Sequence, residues 1–486
     1  MTIFSNYEKK VTITDLSNKP TLFVDLDGTL FRTDTLVESI LIVIRKKPFF
    51  LFQAFYWYIL GKSLLKKKVS NEVKLNLKHF PLNEEFISFL KEEKVKGRKI
   101  ILATGASEKI AKDAFDFFGF FSNFISSNEK INLTGTDKRD KIIELIGKED
   151  FSYAGDCKKD FSIWKRSKEA ILVNHTKFTE KSVDSFHRGD KKTFCPSYPA
   201  KCLLKGFRPH QWVKNFLVFI PVIASHNLLD PNLTLQSILA FSCFCLCASS
   251  GYLINDLLDL NADRKHKTKS TRPLASGNLP LCWGIFAAPL LCLTGLTLAM
   301  THSADLTLVI LSYFALSCLY SIFLKKLVVL DVIALAVLYT IRIYAGATST
   351  DIVISDWLLL FSIFLFSNLA LLKRFTELRH QKSEDKIIRR GYSAKNTKIV
   401  KWFGVVSLIC SVTILALYVH SSTALALYEN SQLLWCIVPV FVFWISRMWL
   451  IASIDNMDLD PVLFAIKDKT TLLCGLLSAL FMIWAI

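Results

Sequence analysis

From Trp212 to its end the chain repeats apolar runs of about the length a helix needs to cross the roughly 30 Å hydrocarbon layer of a bilayer, and this repetition restricts the fold more than any other feature. A window of about 19 residues places about nine such runs. They centre near Ile220, Phe241, Ala288, Tyr313, Ala336, Phe364, Val406, Pro439 and Leu477. Ahead of Cys202, charge alternates with short apolar stretches, so the expectation is a soluble N-terminal domain followed by an all-α membrane domain. A hydrophobic share of 51%, with 38 Phe and a mean hydropathy of +0.35, excludes an ordinary soluble enzyme.

The loops between the runs differ in charge. Arg264, Lys265, Lys267, Lys269 and Arg272 follow the second run, Lys325 and Lys326 the fourth, a basic stretch from Lys373 to Lys401 the sixth, and Lys467 and Lys469 the eighth. The intervening loops, "SHNLLDPNL", "THSAD", "ATSTDIVISD" and "HSSTALALYENSQ", contain neither Lys nor Arg. Basic loops stay in the cytoplasm, so the N-terminal domain is expected there, in a bacterial inner membrane, with the C-terminus outside. The net charge of +18 then reflects topology and anionic headgroups; no nucleic-acid motif accompanies it, and no nucleic-acid partner is expected. The 12 Cys lie mostly in apolar runs without metal-ligand spacing and read as reduced. "MTIFSNYEKKVTITD" has no apolar core, so no cleaved signal peptide is expected.

Within the soluble part, "TLFVDLDGTLF" reads as a strand, Thr21 to Val24, that delivers Asp25 and Asp27 into a turn at Gly28. Two carboxylates so placed can divide the labour, one attacking phosphorus and the other handling a proton. "KIILATGAS" is a second strand ending at Thr104, and "FSYAGDCKKD" a third ending at Asp156 and Asp160. Strands that each end in a polar residue fit an open parallel sheet with its site at the carboxyl ends.

This ordered set resembles the haloacid dehalogenase (HAD) phosphatase superfamily, over roughly Pro20 to His175. The resemblance implies an α/β fold with a helical cap. It makes Asp25 the nucleophile, Asp27 the general acid and base, and Thr104 a phosphate ligand. Asp25, Asp27, Asp156 and Asp160 would surround magnesium, which suits oxygen donors. For the family's lysine, "TDKRDKIIELIG" offers Lys138 and Lys141; Lys138 is preferred for its longer spacing to Asp156.

The expected domains are an extension at 1–19, the phosphatase-like domain at 20–175 with its cap at about 31–99, a linker at 176–205, and the membrane domain at 206–486. Inside the cap, "SILIVIRKKPFFLFQAFYWYIL" is too interrupted by Arg45, Lys46, Lys47 and Pro48 to be a further span. It reads as cap helices with an apolar face suited to a membrane surface.

"NDLLDLNADRKHKTKSTRP", from Asn255, leaves the second apolar run directly. Asp256, Asp259 and Asp263 stand at i, i+3 and i+7, on one face of a helix or its frayed end. Clustered carboxylates repel unless a cation neutralises them, and their use is to hold a magnesium-bound pyrophosphate, with Arg264, Lys265, Lys267 and Arg272 facing the remaining charge. The motif resembles the UbiA superfamily of intramembrane prenyltransferases, which implies about nine helices around a central cavity. Most members carry a second Asp-rich motif after the sixth span; here "LLKRFTEL" puts Lys373, Arg374 and Glu377 in its place.

That departure, with "RPHQWVKN", "LKKLVVLDVIALAVLYTIRIYAGA" and "DPVLFAIKD", resembles the decaprenyl-phosphate phosphoribosyltransferase branch. The branch implies phosphoribosyl pyrophosphate as donor and a membrane polyprenyl phosphate as acceptor. Candidate substrate contacts are Arg208, Lys214, Asn215, Asn255, Arg264, Lys267, Arg272, Arg342, Lys373, Arg374 and Glu377. The fusion implies transfer followed by removal of the 5-phosphate, giving a polyprenyl-phosphoryl ribose for cell-envelope glycans. An aromatic prenyltransferase with an unrelated phosphatase, and a lipid-binding or transport protein, are the competing readings; no internal repeat supports transport.

Overall fold

The computed structural model describes residues 19–128, 131–147, 150–195, 199–380, 392, 396–454, 457 and 460–486. The expected N-terminal extension lies outside them except for Lys19, as does much of the basic stretch that follows Lys373.

The chain folds as two compact units, Met1–Gly206 with Asp256–Phe286, and Phe207–Asn255 with Ala287–Ile486. The first is built on six parallel strands in the order β3-β2-β1-β4-β5-β6. β1 (Thr21–Val24) leads to the cap, α1 (Thr35–Lys46), α2 (Phe50–Leu60) and α3 (Lys62–Glu72). Then follow α4 (Glu84–Val95), β2 (Ile100–Ser107), α5 (Glu108–Phe118), β3 (Asn123–Ser127), α6 (Thr136–Ile146), β4 (Phe151–Gly155), α7 (Phe161–Trp164), β5 (Glu169–Val173), α8 (Lys177–Phe186) and β6 (Asp190–Phe194). The central strands are nearly continuous apolar runs because a parallel sheet is covered on both faces. Alternation divides them: Leu22, Val24 and Leu102 join Phe86 and Leu90 on one side, while Phe23, Ile101 and Tyr153 join Ile142 and Trp164 on the other.

Three boundaries differ from expectation. The stretch expected as a linker after residue 175 supplies α8 and β6, and β6 pairs with β5 from Glu169↔Asp190 to Val173↔Phe194. The alternating charges of "DKKTF" hid an edge strand. The cap is smaller than 31–99, because α4 packs Phe86 and Leu90 into the sheet core as a crossover helix. Finally, the acidic loop at 256–286 folds with the N-terminal sheet domain rather than with the rest of the membrane domain. Arg264 there pairs with Glu38 of α1 at 2.5 Å, and Arg32 reaches Asn278 at 3.1 Å. Gly277 has φ +73°, and a Cβ on it would lie 2.5 Å from the Arg32 Cβ, so only glycine permits this approach.

Among the described residues, seven helices are long and apolar enough to cross a membrane, and an eighth span arises if the pair Pro461–Lys467 and Lys469–Ala485, bent by 79°, counts as one. This is a multi-pass membrane protein. The run expected near Ile220 is not a long helix: tight 3-10 turns over Pro209–Phe219 precede a short helix, Ile220–Ala224. Left-handed residues at Arg208 and His226 bound the segment, and Pro221 lacks the N–H that a helix continuing from Pro209–Phe219 would require.

Two candidate active sites

The loops at the carboxyl ends of β1, β2 and β4 bring together Asp25, Asp27, Asp156 and Asp160 around a cavity of about 620 Å³. Lys138, from the first turn of α6, is buried with its Nζ 3.0 Å from Asp25 Oδ1 and donates to the Tyr153 hydroxyl at 3.0 Å. The Tyr153 hydroxyl in turn donates to Asp160 at 2.8 Å. Lys141 instead faces outward and pairs with Glu144. Asp27 accepts hydrogen bonds from the Thr35 N–H at 2.8 Å and from its hydroxyl. Burial, reinforced by the neighbouring Asp34, pushes the Asp27 carboxyl up to about 8. Burial and neighbouring carboxylates also raise Asp156 and Asp160, while Asp25 and Asp160 hold the proton on Lys138 against its own burial. Gly28, at φ +77°, lets the loop pass: a Cβ there would stand 2.2 Å from Asp156 Oδ2.

Thr104 is not at the cavity wall. It is fully buried, and its hydroxyl accepts the Ala106 N–H at 3.0 Å, because β2 runs on to Ser107. Gly105, Ala106 and Ser107 line the cavity in its place, and the buried Ser107 hydroxyl has no hydrogen-bond partner. Sequence reasoning missed Lys66, which α3 carries into the cavity and which donates to Gly105 O at 2.5 Å and Asn132 at 2.6 Å. Its position in "LLKKKVS" reads as a solvated charge run, and nothing there separates it from its neighbours.

The second acidic group lies at the end of the helix Pro231–Leu258. Asp259 leaves that helix and a short one, Leu260–Arg264, follows, so the three aspartates do not share one regular helical face. Arg272 Nη1 nevertheless ties Asp256 at 3.0 Å to Asp263 at 2.6 Å, and Asp259 meets Arg45 at 3.3 Å. Burial and the neighbouring aspartates raise the Asp263 carboxyl in spite of Arg272. Arg272 therefore neutralises the carboxylates rather than extending past them, and Arg264, expected beside the same anion, is buried against Glu38 and donates to Ala275 O at 3.1 Å. Lys267 is exposed. The first cluster offers the oxygen donors that suit a hard divalent ion such as magnesium, whereas Arg272 stands between the carboxylates of the second. Asp156 and Asp160 bring ligand atoms within 4.8 Å of one another.

In the second unit the expected contacts form three linked pairs, with Arg208 and Asn255 apart from them. Lys214 and Lys373 converge on Asp460, at 2.6 Å and 3.4 Å. Asn215 accepts from Arg342 at 2.9 Å, and Arg342 also donates to Leu338 O and to the Tyr313 hydroxyl, so its guanidinium is occupied by protein. Arg374 is likewise held, by Asp331 at 2.5 Å, Glu377 at 2.6 Å and the Tyr320 hydroxyl at 3.0 Å. Both guanidiniums tie helices together through these bonds. Arg208 lies over the Tyr252 ring at 5.4 Å, and Asn255 accepts from Lys325 at 3.0 Å. Asp460, the first residue of "DPVLFAIKD", also caps the helix that follows by accepting the Val462 N–H.

Residues 216–484, more than half of the chain, match the UbiA prenyltransferase family, and the chain belongs to that family. Uncharacterized protein y4nM of Sinorhizobium fredii is 32% identical over 481 residues, 98% of this chain and 92% of that protein. Nodulation protein NoeC of Azorhizobium caulinodans is 34% identical over 60% of this chain and 96% of its own length. A decaprenyl-phosphate phosphoribosyltransferase of Mycolicibacterium smegmatis is 31% identical over 58% of this chain and 89% of its own.

Proposed function

We propose that this chain transfers a 5-phosphoribosyl group from phosphoribosyl pyrophosphate to a polyprenyl phosphate, and that its N-terminal domain then removes the 5-phosphate. The observation that carries the reading is the fate of the family's second acidic position. Lys373, Arg374 and Glu377 fill it, and Arg374 is bonded to Asp331, so the carboxylate cluster at Asp256, Asp259 and Asp263 is the one the described residues offer for a pyrophosphate. The similarity to phosphoribosyltransferases supports it.

Magnesium held by Asp256, Asp259 and Asp263, and in the other site by Asp25, Asp156 and Asp160, would supply neutralising charge for phosphate oxygens. In the transfer, an oxygen of the lipid phosphate bonds to ribose C1 while the C1–O bond to pyrophosphate breaks. Lys214 and Lys373, held by Asp460, are the cations suited to the lipid phosphate. In the hydrolysis, an Asp25 carboxylate oxygen attacks the phosphorus and the bond to the ribose 5-oxygen breaks. Asp27 gives that oxygen a proton, then takes one from the water that opens the aspartyl phosphate. Lys138 balances the charge of Asp25 and aligns it. The product, a polyprenyl-phosphoryl ribose, suits cell-envelope glycan synthesis, with both sites on the cytoplasmic side of a bacterial inner membrane.

The test is product analysis. Purified full-length protein, magnesium, phosphoribosyl pyrophosphate and polyprenyl phosphate should yield a lipid heavier by a phosphoribosyl group and then one lighter by a phosphate. No lipid product from that donor, with turnover of a prenyl diphosphate and an aromatic acid instead, overturns the reading.

A further inference from the structure

α2 has an unusual surface. Phe50, Ala54 and Trp57, at i, i+4 and i+7, hold it to α1 and α3 through Val43, Leu65 and Val69. Nearly every other side chain is both apolar and outside: Phe49 is 83% exposed, Phe52 72%, Phe55 64% and Ile59 67%, with Leu51, Tyr56 and Leu60 also above half. Such a contiguous apolar patch marks a binding surface. The helix has 11 residues. At about 1.5 Å per residue it covers roughly half of a bilayer's hydrocarbon layer, so it lies on a membrane and does not cross it. Exposed lysines flank it on both sides, Lys46 and Lys47 before and Lys62, Lys67 and Lys68 after, which complements anionic headgroups.

The same helix borders the phosphatase-like cavity. Tyr58 and Lys62 line it, and so do Leu281 and Trp283, which begin the membrane-crossing helix Leu281–Met300. We propose that α2 lies in the headgroup layer of the bilayer that holds the spans, and that the Asp25 site therefore takes a phosphate monoester carried on a lipid, entering past Tyr58 and Lys62. The substrate half rests on the hydrolase reading above; the membrane contact does not.

The experiment uses the full chain in nanodiscs that contain a phospholipid with a diazirine in its acyl chain. After illumination, peptides covering 49–60 should carry lipid adducts alongside those of the spans; adducts confined to the spans, or replaced at 49–60 by protein–protein crosslinks in chain dimers, overturn the contact. In parallel, a Phe52→Ser, Phe55→Ser, Ile59→Ser variant is compared with the parent on a lipid-borne phosphate and on p-nitrophenyl phosphate. The lipid substrate should lose about tenfold or more in kcat/KM and the soluble ester less than twofold. Equal loss on both, or none on either, overturns the substrate class. A parent inactive on both esters defeats the hydrolase reading while the adduct map still decides the contact.

Discussion

The two ends of the parallel sheet carry similar numbers of charged residues and use them in opposite ways. At the amino ends of the strands, buried Arg98 donates to Glu93 at 3.0 Å, Glu169 at 2.7 Å, Ser152 at 2.6 Å and Pro20 O at 3.0 Å. Lys19 and Lys192 complete the carboxylates' pairing, and these partners hold Glu169 down to about 2. At the carboxyl ends, Asp25, Asp27, Asp156 and Asp160 crowd around Lys138, and burial drives three of those carboxyls upward. A balanced network fixes strands; an excess of one sign is costly and persists where a ligand of the other sign resolves it. The same distinction separates Arg374, saturated by protein, from the cluster around Asp256.

The contrast can be broken experimentally. Asp25→Asn should reduce phosphate-ester hydrolysis on the order of 10³-fold or more, because the attacking oxygen is lost. Transfer should continue, so the 5-phosphorylated lipid accumulates; mass-resolved extracts showing dephosphorylated lipid at the parental rate would assign the chemistry elsewhere. Asp256→Asn or Asp263→Asn should reduce transfer about 10²-fold or more and leave hydrolysis of a soluble ester within about twofold. Coupled loss of both activities would mean that the clusters are not separate sites. Arg98→Met should act on stability and not on chemistry. Glu93 keeps Lys19 and Glu169 keeps Lys192, so the loss is of hydrogen bonds to charged groups, about 1.5–3 kcal/mol, read as faster hydrogen exchange across β1 and β2, with hydrolysis per folded molecule unchanged.

Much of the first site was legible because its signals are local. An apolar run followed by Asp25, or by Asp156, is strand and turn within a few residues, and Lys138 follows from spacing. Thr104 misled because a motif locates a strand's end only to within a few residues, and β2 extends to Ser107. The arginines' partners were hidden for another reason. Charge identifies a guanidinium, but its partner is set by tertiary structure: Glu38 lies 226 residues from Arg264, and Asp331 lies 43 from Arg374. Hydropathy averaged over a window likewise cannot register that the run near Ile220 is divided at Pro221 into tight turns and a short helix.

The pairing of Arg264 with Glu38 bears on how such a chain can be assembled or taken apart. Both side chains are almost wholly buried, and Glu38 also accepts from the Thr33 hydroxyl at 2.6 Å, two residues from the Thr35 that holds Asp27. An N-terminal module cut free after Gly206 would keep Glu38 and lose both its counter-charge and the 256–286 segment that carries it. The fusion is thus not two modules on a string: residues 256–286, which follow an apolar helix far along the chain, are part of the N-terminal fold, so a break after Gly206 divides one compact unit.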